Sequence, residues 1–124
     1  MAKLKALVVD DDEKFMSKLG SFLKVGFDCD IVLKSNGTDA ISALDKERFD
    51  ILLLDLKMPG IDGFTVLSHA KKINPKTTVI VISGILDHGI TKKVEDAGAW
   101  YMAKPLESLN ALEHLLKGLI KKNY

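Results

Sequence analysis

The stretch ILLLDLKMPGIDG, residues 51–63, joins an apolar run to an acidic residue and a turn. Ile51–Leu54 is apolar at every position, which is typical of a parallel strand that helices cover on both faces. Asp55 follows directly, and Gly60 and Gly63 favour a turn in which positive φ angles are needed. A carboxylate at the end of a buried strand is costly if it has no partner. Asp55 is therefore a candidate functional residue.

Similar runs occur on both sides of this stretch, and helical segments separate them. The predicted strands are Leu4–Val9, Cys29–Leu33, Ile51–Leu54, Thr78–Ile82 and Trp100–Ala103. Between them, apolar residues recur three and four positions apart, which predicts amphipathic helices. These helices are indicated by Phe15, Leu19, Phe22 and Leu23; by Ala40, Ile41 and Leu44; by Phe64, Leu67 and Ala70 after a start near Asp62; by Ile90–Ala97; and by Leu106–Lys121. The second helix has Ser35, Asn36 or Thr38 available as its cap.

This alternation predicts an α/β fold of five βα units, (βα)5, with helices on both faces of a single doubly wound, open parallel sheet. The 124 residues are enough for one ordinary domain and too few for two, so we expect residues 1–124 to form a single domain. Hydrophobic residues make up 47% and charged residues 28%, which excludes disordered and collagen-like classes.

Charge and hydropathy argue against two kinds of partner. With 18 basic and 17 acidic residues the net charge is +1, so we expect no direct nucleic-acid binding. No apolar stretch approaches the ~20 residues of a spanning helix, and Asp10–Glu13 follows the first apolar run where a signal peptide would stay apolar. We therefore expect no membrane association. The free Cys29 and the lack of an export signal favour the reducing cytoplasm.

Polar residues follow four of the predicted strands, and parallel strands bring their carboxyl ends to one edge of a sheet. The residues are Asp10-Asp11-Asp12, Asp55, Ser83-Gly84 and Lys104-Pro105. Clustered carboxylates repel one another unless a cation is present, and carboxylates without Cys or His favour Mg²⁺. The alternative is that Asp10–Glu13 only caps a helix and complements its dipole. For Asp12, a role as a helix cap is a sufficient explanation without metal binding.

The order and spacing of several fragments resemble a known family along the whole chain. The fragments are Val8-Val9-Asp10-Asp11, Leu54–Gly63, Ile82-Ser83-Gly84, Gly98-Ala99 and Tyr101–Pro105. The family is the CheY-like receiver domain of two-component response regulators. The resemblance implies a flavodoxin-like fold with strand order 2-1-3-4-5.

The resemblance also implies a role for each residue that matches the family pattern. Asp55 would be the phosphoacceptor that attacks the phosphohistidine of a histidine kinase or a histidine phosphotransfer protein. Asp11 and Asp55 would hold Mg²⁺, with Mn²⁺ as an alternative metal. Asp10 would reach the metal through water, and the main-chain carbonyl of Lys57 would be a further ligand. Lys104 would neutralise phosphoryl charge from the opposite side.

Two further matches concern a conformational switch. Ser83 matches the family's switch hydroxyl and Tyr101 its switch aromatic; the residues alone would indicate a turn serine and a half-buried strand aromatic. Pro105 matches a proline that follows a cis peptide bond and fixes the direction of Lys104. The lysine side chain at position 57 departs from the pattern by placing a mobile cation beside the site.

The implied function is a regulatory switch that assists its own phosphotransfer and dephosphorylation and relays a change to an output domain or target protein. One alternative is a Mg²⁺-dependent phosphatase with an aspartate nucleophile, but such enzymes need a second acid where Lys57 stands. Another is an inert interaction module, which would usually have lost Asp11, Asp55 or Lys104. A homodimer through the face from the fourth to the fifth helix is left open.

Overall fold

The computed structural model describes residues 3–58, 60–84, 87–104 and 109–123, with side chains as far as Ile120. Within these ranges the chain alternates strands and helices from end to end. The strands are β1 (Lys5–Val9), β2 (Asp30–Lys34), β3 (Ile51–Leu54), β4 (Thr78–Ser83) and β5 (Trp100–Ala103). The helices are α1 (Glu13–Phe27), α2 (Gly37–Lys46), α3 (Gly63–Ile73), α4 (His88–Asp96) and α5 (Asn110–Asn123).

The five described strands form one parallel sheet in the order β2-β1-β3-β4-β5, which confirms the predicted fold. Alternate strand residues point to opposite faces. Leu7, Leu52 and Val81 pack with α2, α3 and α4. Val8 and Leu53 pack with α1 and α5 on the other face. The sheet is thus covered on both sides, which explains why β3 is apolar throughout, as are β1 after Lys5 and β4 between Thr78 and Ser83.

Four strand boundaries differ from the prediction by one residue: β1 and β2 each begin one residue later than predicted, and β2 and β4 each end one residue later. Pairing between strands sets the two later ends. β2 runs to Lys34, since Lys34 pairs with Val9 of β1. β4 includes Ser83, since Ser83 pairs with Ala103 of β5. Both residues are polar, so an apolar pattern ends before them.

The helix starts follow local capping chemistry. Asn36, one of three predicted caps of α2, accepts a hydrogen bond from the Asp39 N–H at 2.8 Å. Asp62 caps α3 by accepting from the Thr65 N–H at 2.9 Å. α5 begins at Asn110, later than predicted, and residues 106–108 of the predicted helix lie outside the described ranges. None of the described helices has the length and apolar character needed to span a bilayer.

Candidate functional site

The site lies where the strand order reverses. β1 is followed along the chain by β2 on one side, while β3 lies on its other side, so a crevice opens beyond the carboxyl ends of β1 and β3. Val9 and Leu54 are register partners, and the Asp55 N–H donates to the Val9 carbonyl at 3.0 Å. Asp10 and Asp55 therefore leave the sheet side by side. Their proximity follows directly from the register of these two strands.

Three carboxylates meet in this crevice. Asp10 is 2% exposed and Asp55 is 6% exposed, whereas Asp11 is open to solvent. One oxygen from each lies within 4.8 Å of the others. Two oxygens on opposite sides of a Mg²⁺ ion are about 4.2 Å apart, given bonds of about 2.1 Å. The spacing of these carboxylates is therefore compatible with a hard divalent cation.

Lys104, which follows the edge strand β5, brings a positive charge to the same crevice. Its main-chain N–H donates to the Ser83 carbonyl at 2.9 Å, which continues the pairing of β4 with β5. Its Nζ donates to Asp10 Oδ2 at 2.7 Å and to Asp55 Oδ2 at 3.3 Å. With all groups ionised, three carboxylates and one ammonium leave two net negative charges. That charge matches a divalent cation.

The environment shifts the pKa values of this pair. Burial raises the pKa of Asp10 although Lys104 and the Asp12 N–H stabilise its charged form. For Lys104, burial by itself lowers the pKa, but the hydrogen bond and charge of Asp10 and the charge of Asp55 outweigh burial, so the net shift is upward. Lys104 is therefore a permanent cation at neutral pH.

The loop between β3 and α3 contacts Asp55 through its main chain. The Lys57 N–H donates to Asp55 Oδ1 at 3.2 Å, and the Lys57 side chain is exposed. Gly60 has a φ of +82°, as predicted for this turn, while Pro59 lies outside the described residues. Gly63 is required for a different reason from the predicted one: a Cβ atom there would lie 2.7 Å from the Asp55 carbonyl oxygen.

Ser83 and Tyr101 meet at the ends of β4 and β5. Ser83 is fully buried as the last residue of β4, so it is a strand residue rather than a turn residue. The Tyr101 hydroxyl donates to the Ser83 carbonyl at 3.2 Å, so this carbonyl accepts from both Tyr101 and Lys104. Burial, with the charge of Asp55, raises the pKa of Tyr101. Pro105 lies outside the described residues.

One side chain at this site, Phe15, was not predicted from the sequence. Its spacing indicated only the apolar stripe of the first helix, yet the Phe15 ring centroid lies 4.6 Å from Lys104 Nζ. Asp12 has the capping role expected of it, since its carboxylate accepts from the Phe15 N–H at 3.1 Å. The position of Phe15 in the first turn after the acidic cluster was the available signal.

Comparisons with known proteins agree with this architecture. The model of the response regulator receiver domain matches residues 6–117. The transcriptional regulatory protein ZraR of Salmonella typhimurium is 30% identical over 118 residues, which are 94% of this chain and 26% of that protein. The transcription factor SKN7 of Candida albicans is 29% identical over 119 residues, which are 95% of this chain and 21% of that protein.

The chain thus spans about a quarter of the length of these curated relatives. A solved structure, the BeF3-activated receiver domain of DrrB from Thermotoga maritima, superposes with a TM-score of 0.87 at 26% identity. That match covers 97% of this chain and 99% of the other. Since the family model spans nearly all of the chain and the fold agrees, this protein belongs to the family of response regulator receiver domains.

Proposed function

We propose that the chain is a phosphorylation-controlled switch of a two-component system, with Asp55 as its phosphoacceptor. The observation that carries the proposal is the contact of Lys104 Nζ with both Asp10 and Asp55, beside the exposed carboxylate of Asp11. This arrangement combines a nucleophile, a fixed cation and a set of oxygen ligands. We treat residues 1–124 as one receiver domain that acts in the cytoplasm.

In the proposed reaction a carboxylate oxygen of Asp55 forms a bond to the phosphorus of a phosphohistidine. The bond from phosphorus to the histidine nitrogen breaks, and its electron pair stays on the histidine ring. Asp55 is suited to this role because the Lys57 N–H and Lys104 Nζ fix its two oxygens. Lys104 stabilises the negative charge on the transferred group.

The residues present fit a magnesium ion. Asp11 and Asp55 would hold it directly, Asp10 would act through water, and the Lys57 carbonyl would be a further ligand. A bound Mg²⁺, or Mn²⁺ in its place, neutralises charge on the phosphoryl oxygens. The phosphodonor would be a histidine kinase or a histidine phosphotransfer protein. The phosphorylated form would act on an output domain, on a target protein or on a second copy through the face from α4 to α5.

The regulatory function is favoured over the phosphatase alternative by a specific residue. A phosphatase with an aspartate nucleophile needs a general acid two positions later, and the structure has the exposed side chain of Lys57 there. We therefore describe the chain as a phosphoacceptor that assists its own phosphotransfer and dephosphorylation.

The test is phosphorylation by acetyl phosphate with Mg²⁺, followed by intact mass. We expect one added phosphoryl group that alkali and hydroxylamine remove, and none in Asp55→Asn. The matched control is Asp12→Asn, which makes the same charge change at the edge of the site and keeps a good helix cap. This control should be phosphorylated like the parent. A stable adduct on Asp55→Asn at a serine, threonine or histidine would refute the assignment.

A further inference from the structure

The ammonium group of Lys104 has three neighbours of different chemistry. Two are the carboxylates of Asp10 and Asp55, at 2.7 and 3.3 Å. The third is the ring of Phe15, whose centroid lies 4.6 Å from Nζ. This distance is within the ≈ 6 Å over which an aromatic face attracts a cation. Phe15 therefore makes a favourable electrostatic contact with the charge that the site uses.

Phe15 makes contacts through both its main chain and its side chain. Its main-chain N–H is bound by the capping carboxylate of Asp12 at 3.1 Å, so the first turn of α1 fixes where the residue begins. Its side chain is partly buried and packs against the apolar cluster that α1 and α5 form with the sheet. The start of α1 therefore positions the main chain of Phe15, and packing against the cluster positions its ring.

The chemistry of the ring differs from that of the two carboxylates. A lysine ammonium has three N–H donors, and the two carboxylates account for two of them. The ring attracts the charge through its quadrupole without needing a particular N–H bond. One donor therefore remains for a phosphoryl oxygen. During transfer the Asp55 oxygens change partners, whereas the attraction between the ring and the ammonium does not depend on them.

We propose that Phe15 is a positioning residue for Lys104, which keeps the ammonium directed at the transferred phosphoryl group while Asp10 and Asp55 change partners. This inference rests on the proposed function, because it concerns the phosphorylation of Asp55. It adds a residue from α1 to a site whose other proposed groups lie at the carboxyl ends of β1, β3, β4 and β5. The alternative is that Phe15 contributes only to packing in the core.

The deciding experiment weakens the negative electrostatic potential on the face of the Phe15 ring and barely changes the size of the ring. Phenylalanine at position 15 is replaced by analogues with one, two and three fluorine atoms, which progressively withdraw electron density from the ring. The initial rate of Asp55 phosphorylation by acetyl phosphate is measured for each. We expect the logarithm of the rate to fall steadily with each added fluorine, while the urea midpoint of unfolding stays nearly constant. A flat rate across the series would overturn the proposal.

Ordinary substitutions give a second measurement. Phe15→Leu should slow phosphorylation by about two- to fivefold, the factor that corresponds to a partly exposed cation–π contact, and Phe15→Tyr should keep the parent rate. The matched control is Phe22→Leu, on the same helix and in the same apolar cluster, where the ring packs on Phe27. It should lower stability and leave the rate unchanged. Equal slowing by Phe22→Leu and Phe15→Leu would contradict a positioning role.

A readout without phosphorylation separates this inference from the proposed function. In NMR spectra the Phe15 ring should shift the ε-methylene protons of Lys104 upfield, and Phe15→Leu should remove that shift. If the parent is not phosphorylated on Asp55, the proposed function fails whatever the NMR result. If the parent is phosphorylated but the upfield shift is missing, the proposed function stands and the role of Phe15 fails.

Discussion

At the scale of single residues, the site is a balance between burial and charge. Asp10 is almost fully buried, and an isolated carboxylate in that position would be strongly destabilising. Lys104 offsets part of this cost through a direct hydrogen bond, although the pKa of Asp10 remains raised by burial. Asp11 is exposed and available to a metal. The three acids are therefore not equivalent, and each substitution should have its own effect.

The first prediction concerns metal binding. We expect Mg²⁺ to bind the unphosphorylated protein with a dissociation constant on the order of millimolar, because few protein ligands hold it and several waters remain. Asp11→Asn should weaken binding at least tenfold, since it replaces a charged carboxylate ligand with a neutral amide. Asp12→Asn makes the same charge change at a residue that is not a proposed ligand and should weaken binding less than about threefold. Amide shifts in an NMR titration measure both. Parent-like affinity in Asp11→Asn would place the metal elsewhere.

The second prediction concerns Cys29, which is 3% exposed and lies just before β2. Burial, with the charges of Asp50, Asp28 and Asp30, raises the pKa of this thiol from 9.0 to about 11. At pH 8 the folded protein should hold about a hundredfold less thiolate than an ordinary thiol. Alkylation by iodoacetamide, followed by mass spectrometry, should be slower by at least that factor in native buffer than in urea.

The same shift fixes the sign of a pH effect on stability. Between pH 9 and 11 the unfolded state loses the Cys29 proton before the folded state does, so the free energy of unfolding falls as pH rises. The stabilising contribution is complete below pH 9. In Cys29→Ala this part of the slope should vanish, as measured by urea unfolding at several pH values. An identical slope in parent and variant would contradict the prediction.

At the scale of elements, the β3–α3 loop is held close to the crevice by the glycine that begins α3. A Cβ atom at Gly63 would lie 2.4 Å from Leu56 Cα and 2.7 Å from the Asp55 carbonyl oxygen. Both are main-chain atoms, which cannot move aside as the end of a flexible side chain can. The Gly63 N–H also donates to the Leu56 carbonyl at 3.1 Å. The loop that carries Lys57 is therefore positioned by backbone contact.

The third prediction follows from this close approach. Gly63→Ala should lower the free energy of unfolding by about 1–3 kcal/mol, as overpacking does, and should slow phosphorylation because the backbone at Asp55 must shift. The control is Gly118→Ala in α5, where a Cβ would meet nothing within 4 Å. That variant should be neutral or more stable by up to about 1 kcal/mol. Urea unfolding measures the free energy of unfolding of both variants. A value for Gly63→Ala equal to that of the parent would show that the loop can relax to accommodate the added Cβ.

At the scale of the whole molecule, the site is connected to β5 through the end of β4, and Tyr101 of β5 packs against the apolar cluster that contains Val94 of α4. The Ser83 carbonyl accepts hydrogen bonds from the Tyr101 hydroxyl and from the Lys104 N–H. In the proposed function, a phosphoryl group that moved this strand end would therefore affect both residues. A ligand shifts such an equilibrium only through a difference in its affinity for the two states. We expect the Ser83 hydroxyl to supply that difference.

The fourth prediction tests this connection with beryllofluoride, which stands in for the phosphoryl group. Ser83→Ala should still bind beryllofluoride at Asp55, but the amide shift changes in α4 (His88–Asp96) and β5 should fall to less than half of those in the parent. Ser68→Ala, an exposed serine on α3, is the control and should respond fully. A full response of α4 and β5 in Ser83→Ala would show that another group transmits the signal.

The sequence by itself determined the alternation of strands and helices, the parallel sheet and the position of Asp55 at a strand end. These are local properties, because an apolar run and the acid that ends it can be identified without knowing their neighbours. The strand order came from the resemblance to a family. The candidate residues came from the polar positions that follow the predicted strands, and the matched motifs of that family supplied their roles. The structure brings Asp10, Asp11, Asp55 and Lys104 together, as those motifs led us to expect.

The tertiary structure alone decided the contacts between distant parts of the chain. Lys104 pairs with Asp10 across 94 residues of sequence, Phe15 meets the same ammonium, and Gly63 contacts the backbone of Asp55. The ends of β2 and β4 likewise depend on their partner strands. The physical reason is that periodicity reports only which face of an element is apolar. Which side chains meet across elements depends on sheet order and register.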